Sequence, residues 1–313
     1  MFPADFAYAR ARSLDDALDL LDEAAEAGDE AKVIAGGQSL LPMMKLRLAT
    51  PQVLIDIADL GELKRGGFHG SGHTIGALTT YRELSRQPIV SRDGTPAPSQ
   101  SLAEGVPALT DALAVLADPQ VRARGTIGGA VAHGDPASDL PAVLLALDAE
   151  LTIASRKGRR TALLDDFLQG IYATDLAEDE ILTHISVNGA YAGGSAYEKF
   201  PHPASHLPLA GVCAVVHLLD GLIQQAKVAV TGIAPRPYRA RETERLLTGA
   251  PPGPDAIAAA AAQVTAQGGQ GAGTGQVTLL GDQHASADYR AHLAEVLTRR
   301  ALAKAITRGG HSS

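Results

Sequence analysis

Two glycine turns are the residues of this sequence best suited to hold a ligand. The first, Gly36-Gly37-Gln38-Ser39-Leu40, follows the short apolar run at 32–35; the second is Gly125-Thr126-Ile127-Gly128-Gly129. Glycines let a backbone approach a ligand closely, their exposed N–H groups can form a nest for an anion, and Ser39 adds a hydroxyl donor. Neither turn fits the G-x-G-x-x-G dinucleotide pattern or the G-x-x-x-x-G-K-[ST] phosphate loop, so the common nucleotide-binding readings fail on spacing. Taken singly, each turn reads equally well as an ordinary tight turn.

Other chemistry-bearing residues are weaker. His133, His202 and His206 have no second ligand at helical or C-x-x-C spacing and read as solvated or structural histidines. Cys213, inside the apolar run 209–219, reads as a small core residue. As the one cysteine, it excludes an intramolecular disulfide and any iron–sulfur or zinc site built from this chain's thiolates alone. On residue type, Lys199 reads as a solvated strand-end lysine. Asp139, ahead of an apolar run with Pro141 in its first turn, reads as a helix N-cap.

These residues need elements to position them. Ser13 caps a helix in which Leu14, Ala17, Leu18, Leu21, Ala24 and Ala25 recur at helical spacing, and Gly28 stops it. Runs at 32–35, 53–57, 74–77 and 151–154 read as strands, Thr80-x-x-Glu83 as a capping box, and 107–116 as a helix. The stretch 93–101 has the chemistry of a surface loop. From about residue 173 strands dominate, at 181–187, 196–200, 209–219 and 223–230, with Asp220-Gly221 as a hairpin turn. The end is helical, at 239–247, 255–267 and 287–305, with a glycine-rich linker at 268–275. No repeat at solenoid periods is evident.

Composition narrows the function classes. The 313 residues suffice for two or three domains, and 45% hydrophobic with 20% charged residues is ordinary for a globular chain. Lys+Arg 27 against Asp+Glu 35 gives a net charge of −8 with no basic cluster, which argues against nucleic acid. No signal peptide or transmembrane segment is legible, so a cytoplasmic protein is expected.

The two turns together resemble the paired flavin motifs of the FAD-binding medium subunit of molybdenum hydroxylases, the carbon-monoxide-dehydrogenase and xanthine-dehydrogenase family. The matching residues are Ala35-Gly36-Gly37-Gln38-Ser39-Leu40 and Val121-Arg122-Ala123-Arg124-Gly125-Thr126-Ile127-Gly128-Gly129. The resemblance continues through His133-Gly134-Asp135-Pro136-Ala137-Ser138-Asp139-Leu140-Pro141, Tyr197-Glu198-Lys199-Phe200, Gly232-Ile233-Ala234-Pro235-Arg236-Pro237 and Ala285-Ser286-Ala287-Asp288-Tyr289-Arg290. It spans nearly the whole chain.

The resemblance implies an α+β protein. Its first part would be a vanillyl-alcohol-oxidase (PCMH)-type FAD-binding domain of residues 1–175, with two α/β subdomains at about 1–58 and 59–175. A C-terminal domain of antiparallel sheet plus helices, like that of the carbon monoxide dehydrogenase flavoprotein, would occupy 176–313. The resemblance gives Lys32, Val33, Ile34, Ala35, Gly36, Gly37, Gln38, Ser39 and Leu40 to the pyrophosphate, with Ser39 as a side-chain donor. Thr126, Gly129 and Ala130 would approach the pyrophosphate and ribitol, and Asp139 would bond the hydroxyl-rich part of FAD. Leu182 would pack on the isoalloxazine, and Lys199 would lie by its pyrimidine edge and favour the anionic reduced flavin. No catalytic acid or base is implied. Gln38 stands where many relatives have His, and Ala130 where others have a polar residue, so that only its backbone N–H could serve. The stretch His202-Pro203-Ala204-Ser205 is often more basic.

The implied role is an electron-transfer subunit that takes electrons from an iron–sulfur small subunit and passes them to an external acceptor. The molybdenum–pterin cofactor would sit on a molybdopterin-binding large subunit, and the iron–sulfur clusters on another chain. A self-contained FAD oxidase or dehydrogenase of the same fold, and a non-enzymatic scaffold that has lost flavin, are the alternatives.

Overall fold

Strand β1 (Ala7–Arg10) leads into helix α1 (Leu14–Ala27), whose N-cap Ser13 accepts from the Asp16 N–H and whose C-cap Gly28 sits at φ +78. Leu14, Ala17, Leu18, Leu21 and Ala24 form its buried face, the stripe a helix needs to lie on a core. Next come β2 (Ala31–Ile34), α2 (Leu40–Lys45) and β3 (Val53–Asp56). The three strands are parallel, in the order β1-β3-β2. β2 is therefore an edge strand, half-buried at all four residues, and the first glycine turn leaves from that open edge. The computed structural model describes residues 2–69, 72–86, 88–90, 96–101, 105–188, 194–267 and 275–310.

The second unit starts with β4 (Gly67–His69), β5 (Gly72–Gly76) and α3 (Tyr81–Leu84). The Thr80–Glu83 capping box is made in both directions. β6 (Pro88–Val90) and β7 (Pro96–Ser101) pair antiparallel. Much of the stretch expected to be loop is thus a strand, while residues 93–95 lie outside the described residues. Four helices follow: α4 (Pro107–Val115), α5 (Pro119–Arg124), α6 (Ile127–His133) and α7 (Asp139–Ala146).

After β8 (Glu150–Ser155), β9 (Gly158–Leu163), α8 (Leu164–Phe167), β10 (Leu168–Gly170) and β11 (Ala173–Thr174), the chain forms β12 (Ile181–Asn188). β12 is the central strand of a five-stranded antiparallel sheet ordered β4-β5-β12-β8-β9. The expected division at 175 assigns this strand to the C-terminal domain. Its ladder instead ties it to the first half, because alternation identifies a strand but says nothing of its partner.

The remaining sheet is antiparallel: β13 (Ser195–Pro201), β14 (Pro208–Leu219), β15 (Leu222–Thr231) and β16 (Tyr238–Arg239), in that order. Asp220 at φ +52 and Gly221 at φ +75 make its hairpin turn, the positive-φ pair a two-residue loop favours. Both faces are covered. Cys213 and Val215 belong to the core that holds α4 and α7, whereas Val212, Ala214 and Val216 face the C-terminal helices. Those are α9 (Arg241–Leu247), α10 (Pro254–Ala261) and α11 (Ala287–Gly309). α10 is shorter than the expected 255–267, since the chain turns into the hairpin β17 (Ala266–Gln267) and β18 (Gly275–Gln276). Of the glycine-rich stretch, 268–274 lies outside the described residues. Arg308 of α11 bonds Asp111 of α4 at 2.7 and 3.0 Å and the Ser195 carbonyl at 2.7 Å, tying the end of the chain to its first half.

Candidate functional site

The first glycine turn is a run of unengaged donors. Gly37 takes φ +71, a left-handed conformation that glycine adopts without steric cost. The turn carries the chain into α2, where Leu41 N–H donates to the Gly37 carbonyl at 3.1 Å and Met43 N–H to that of Ser39 at 3.2 Å. Among the described residues, the five successive N–H groups from Gly36 to Leu40 meet no intrachain acceptor. Ser39 is the N-cap of α2, but its hydroxyl makes no capping bond and the residue is exposed. Gln38 Nε2 donates to the Gly36 carbonyl at 3.4 Å. Lys32 pairs with Glu30 at 3.4 Å, and Val33 and Ala35 lie against the core beneath the first sheet.

The second turn is built the opposite way. Asp118 caps α5 and Thr126 caps α6, the Thr126 hydroxyl accepting from Gly129 N–H at 3.1 Å. Ile127 N–H donates to the Thr79 carbonyl at 3.0 Å, Gly128 N–H to that of Ala77 at 2.8 Å, and Ala130 N–H to that of Thr126 at 3.0 Å. The Ala130 amide, expected to serve the cofactor, is therefore engaged within the chain, as is that of Gly129. What this turn still offers is the Thr126 hydroxyl hydrogen and the exposed Cα of Gly129. A cleft of about 390 Å3 beside it is lined by Lys64, Thr79, Arg82, Glu83 and Arg86.

The two turns meet. A Cβ built on Gly36 would overlap the Arg124 carbonyl oxygen, lying 2.8 Å from the carbonyl carbon and 3.1 Å from the Gly125 Cα. Backbone abuts backbone at this seam, and the free amides of 36–40 lie directly beside it. Such a donor set fits a diphosphate, whose charge an acidic chain must meet with local N–H dipoles rather than with its net field.

Asp139 and Lys199 are brought together, in a way residue type does not predict. Their side chains are 4% and 1% exposed and pair at 2.9 Å. Asp139 Oδ1 also accepts from the Tyr197 hydroxyl at 2.7 Å, and Lys199 Nζ donates to the Val115 carbonyl at 3.2 Å. The N-cap of α7 is Ser138, not Asp139. With one bond on each of its oxygens, Asp139 anchors Tyr197 and Lys199 inside the fold. Lys199, expected on type alone to be solvated, keeps one N–H of its ammonium uncommitted. Burial pushes the Asp139 carboxyl above its usual range against the pull of Lys199, and burial with the neighbouring Asp139 holds the Tyr197 phenol far up. Tyr197 was legible as a member of this group, since it sits two residues before Lys199 and shares its face of β13.

Leu182, 5% exposed on β12, lies opposite Ile153 in the core. His133 is half-buried against the Tyr172 ring at 5.0 Å, and burial lowers its pKa. His202 Nδ1 accepts from the Ala204 and Ser205 amides at 3.2 and 3.1 Å. Among the described residues no cluster of His, Cys, Asp and Glu could hold a metal, and no helix is long and apolar enough to cross a membrane.

An α/β pair of subdomains with an amide-lined seam, followed by a helix-covered antiparallel sheet, defines the class: a flavin-binding subunit of an oxidoreductase. Residues 4–187 match the family described as the FAD binding domain in molybdopterin dehydrogenase, and residues 195–305 the CO dehydrogenase flavoprotein C-terminal domain. The chain belongs to this family, and is an FAD-binding medium subunit of the molybdenum-hydroxylase type. It is 36% identical over 309 residues to the carbon monoxide dehydrogenase medium chain of Hydrogenophaga pseudoflava, covering 98% of this chain and 99% of the relative. It is 35% identical over 301 residues to the glyceraldehyde dehydrogenase medium chain of Sulfolobus acidocaldarius, covering 96% and 98%. In a solved structure of carbon monoxide dehydrogenase from H. pseudoflava, one chain superposes with a TM-score of 0.85 at 37% identity, covering 98% of this chain and 99% of that one.

Proposed function

We propose that this chain is the cytoplasmic, FAD-carrying electron-transfer subunit of a multi-subunit molybdenum hydroxylase. It takes electrons from an iron–sulfur subunit and passes them to an external acceptor. A molybdopterin-binding large subunit carries the substrate chemistry, because a single buried cysteine leaves this chain unable to hold a cluster by itself. Bound FAD supplies the capacity to accept and release electrons, while the protein sets its position and its electronics.

The observation that carries this reading is the run of free amides at 36–40 against the Arg124–Gly125 backbone. In it, the backbone of Gly36–Leu40 and the Ser39 hydroxyl hold the pyrophosphate, and residues 32–35 line its approach. Thr126 adds its hydroxyl hydrogen, while Gly129 and Ala130 offer close surface. Leu182 forms part of the wall behind the ring system. Lys199, fixed by Asp139 and Val115, offers its remaining N–H to the electron-rich edge of the reduced ring. The FAD domain runs through residue 188, and the C-terminal domain follows from 194.

The test is reconstitution. The purified chain with excess FAD retains bound flavin and gains stability by mass action, about 2.7 kcal/mol at a hundredfold excess over Kd. A chain that neither turns yellow nor shifts its melting temperature refutes the reading.

A further inference from the structure

The sheet that carries Lys199 turns two adjoining rows of residues toward α7. Lys199 on β13 lies opposite Gly211 on β14, and Gly211 opposite Thr231 on β15; two residues along, Tyr197 lies opposite Cys213 and Cys213 opposite Ala229. Directly opposed residues, and residues two apart on one strand, share a face of a sheet. Lys199, Tyr197 and Thr231 therefore all reach the segment that starts α7, and Gly211 is the member of the first row with no side chain.

Tyr197 fills the space that this glycine leaves. A Cβ built on Gly211 would overlap the Tyr197 hydroxyl oxygen, standing 3.1 Å from the Tyr197 Cζ and 2.9 Å from the Thr231 Cγ2. The phenol thus lies across the glycine and ends on Asp139 Oδ1, while the Tyr197 N–H donates to Asp111 Oδ2 at 3.1 Å. The main chain beside Asp139 is fixed from the same row. Thr231 Oγ1 lies 2.8 Å from the Pro136 carbonyl oxygen and 2.9 Å from that of Ser138, and Gly232 N–H donates to Pro136 at 2.9 Å. Asp139, Tyr197 and Thr231 are all buried. With its main chain clamped and one oxygen held by the phenol, Asp139 has its other oxygen on Lys199.

We infer that Tyr197 is a positioning residue for Lys199: by occupying Asp139 Oδ1 it limits the carboxylate to one bond with the ammonium, and so keeps the remaining N–H of Lys199 directed at the electron-rich edge of the reduced flavin. The inference rests on the placement of Lys199 by that edge proposed above. The ammonium has three donors, one given to Asp139 Oδ2 and one to the Val115 carbonyl. Without the phenol, Asp139 Oδ1 loses its partner in a buried site, where an unsatisfied acceptor is costly. The nearest remedy is the third donor of Lys199, which both carboxylate oxygens would then draw away from the ring. Packing alone asks only for the ring of Tyr197, which phenylalanine would supply; the hydroxyl is the part that acts on Lys199.

Tyr197→Phe keeps the ring and deletes the donor. Spectroelectrochemical titration of the FAD-loaded chain should show the ratio of reduced to oxidised flavin at a fixed applied potential falling about threefold or more, part of the worth of one charge-assisted hydrogen bond, with FAD content unchanged. A ring-fluorinated tyrosine at 197, a stronger donor of nearly the same shape, should move the ratio the other way. Lys199→Met should lower the ratio further, and Tyr197→Phe added to Lys199→Met should change nothing more, because the phenol acts through the ammonium. An unchanged ratio in both position-197 variants, or an equal fall from Tyr197→Phe in the Lys199→Met background, overturns the proposal. Failure of the underlying reading shows separately: a wild-type chain that retains no FAD, or a Lys199→Met variant whose flavin titrates as in wild type, overturns both.

Discussion

Gly36→Ala is the most direct probe of the seam. The added methyl would overlap the Arg124 carbonyl oxygen and stand 2.8 Å from its carbon, where ordinary contact begins at 3.4 Å. Both atoms belong to backbone, so no side chain can rotate out of the way, and the two turns must move apart. Overpacking of this kind costs about 1–3 kcal/mol. Because the free amides of 36–40 lie on one side of the seam and Thr126 on the other, the shift falls on FAD binding as well as on the fold. At 1.4 kcal/mol per decade, Kd for FAD should rise about 10- to 100-fold. Gly61→Ala is the matched control, since a Cβ there meets nothing within 4 Å and its φ is not positive. Titration of each protein with FAD by flavin fluorescence, with thermal melts of the flavin-free forms, gives both quantities. Wild-type affinity and melting temperature in Gly36→Ala would refute the claim that the turns are in backbone contact.

Lys199→Met leaves the buried Asp139 without its cation and should cost about 3–5 kcal/mol. Asp139 already titrates above its usual value of 3.8 because of burial. Without the ammonium, the folded carboxyl holds a proton that the unfolded chain releases, so the deficit should grow as pH rises through the folded value; urea melts showing the same loss at pH 5 and pH 8 contradict this. Ser39→Ala should leave the flavin-free melt unchanged, as its hydroxyl makes no intrachain bond, and weaken FAD binding by about 1–2 kcal/mol. Gly128→Ala should do the reverse: its Cβ would stand 2.5 Å from the Ala77 Cβ, lowering the melting temperature while folded molecules keep their FAD affinity. Burial pushes His73, His133 and His184 below the usual 6.5. Their contribution is present above that value and lost as pH falls through the folded values, so a melting temperature flat from pH 7.5 to 5 is the contrary result.

Much of this architecture was legible because its signals are local. Ser13, Gly28, the Thr80–Glu83 box and the Asp220-Gly221 turn each act over a few residues, and each does in the fold what its type and spacing imply. Non-local pairing was not legible. The alternation in 181–187 announces a strand, but nothing in it says that the strand lies between β5 and β8 rather than beside β13. Lys199 shows the same limit for a side chain. Its type predicts solvent, and only the fold brings it to Asp139, 60 positions away. The family resemblance gives the two residues separate contacts with the cofactor, Asp139 to its hydroxyl-rich part and Lys199 to its pyrimidine edge, and does not pair them with each other as the fold does.

The glycines of the two turns show why a motif reports position more faithfully than role. Gly36 is required by the Arg124 carbonyl, Gly128 by Ala77, and Gly37 by its positive φ. All three needs arise within the protein. A glycine-rich motif is thus compatible with a seam that binds nothing, and the glycines by themselves do not distinguish a cofactor site from close packing. What distinguishes them is the fate of the amides. Buried and half-buried backbone donors find partners within a fold as a rule; at the second turn they do, on Thr79, Ala77 and Thr126, and at the first turn the half-buried Gly36, Gly37 and Leu40 do not, nor do the exposed Gln38 and Ser39 between them. The asymmetry sets the turns apart: the second is bonded into the fold, and the first keeps its donors free, as the proposed pyrophosphate contact requires. It follows that substitutions at the second turn should act mainly through stability, and those at 38–40 mainly through flavin affinity.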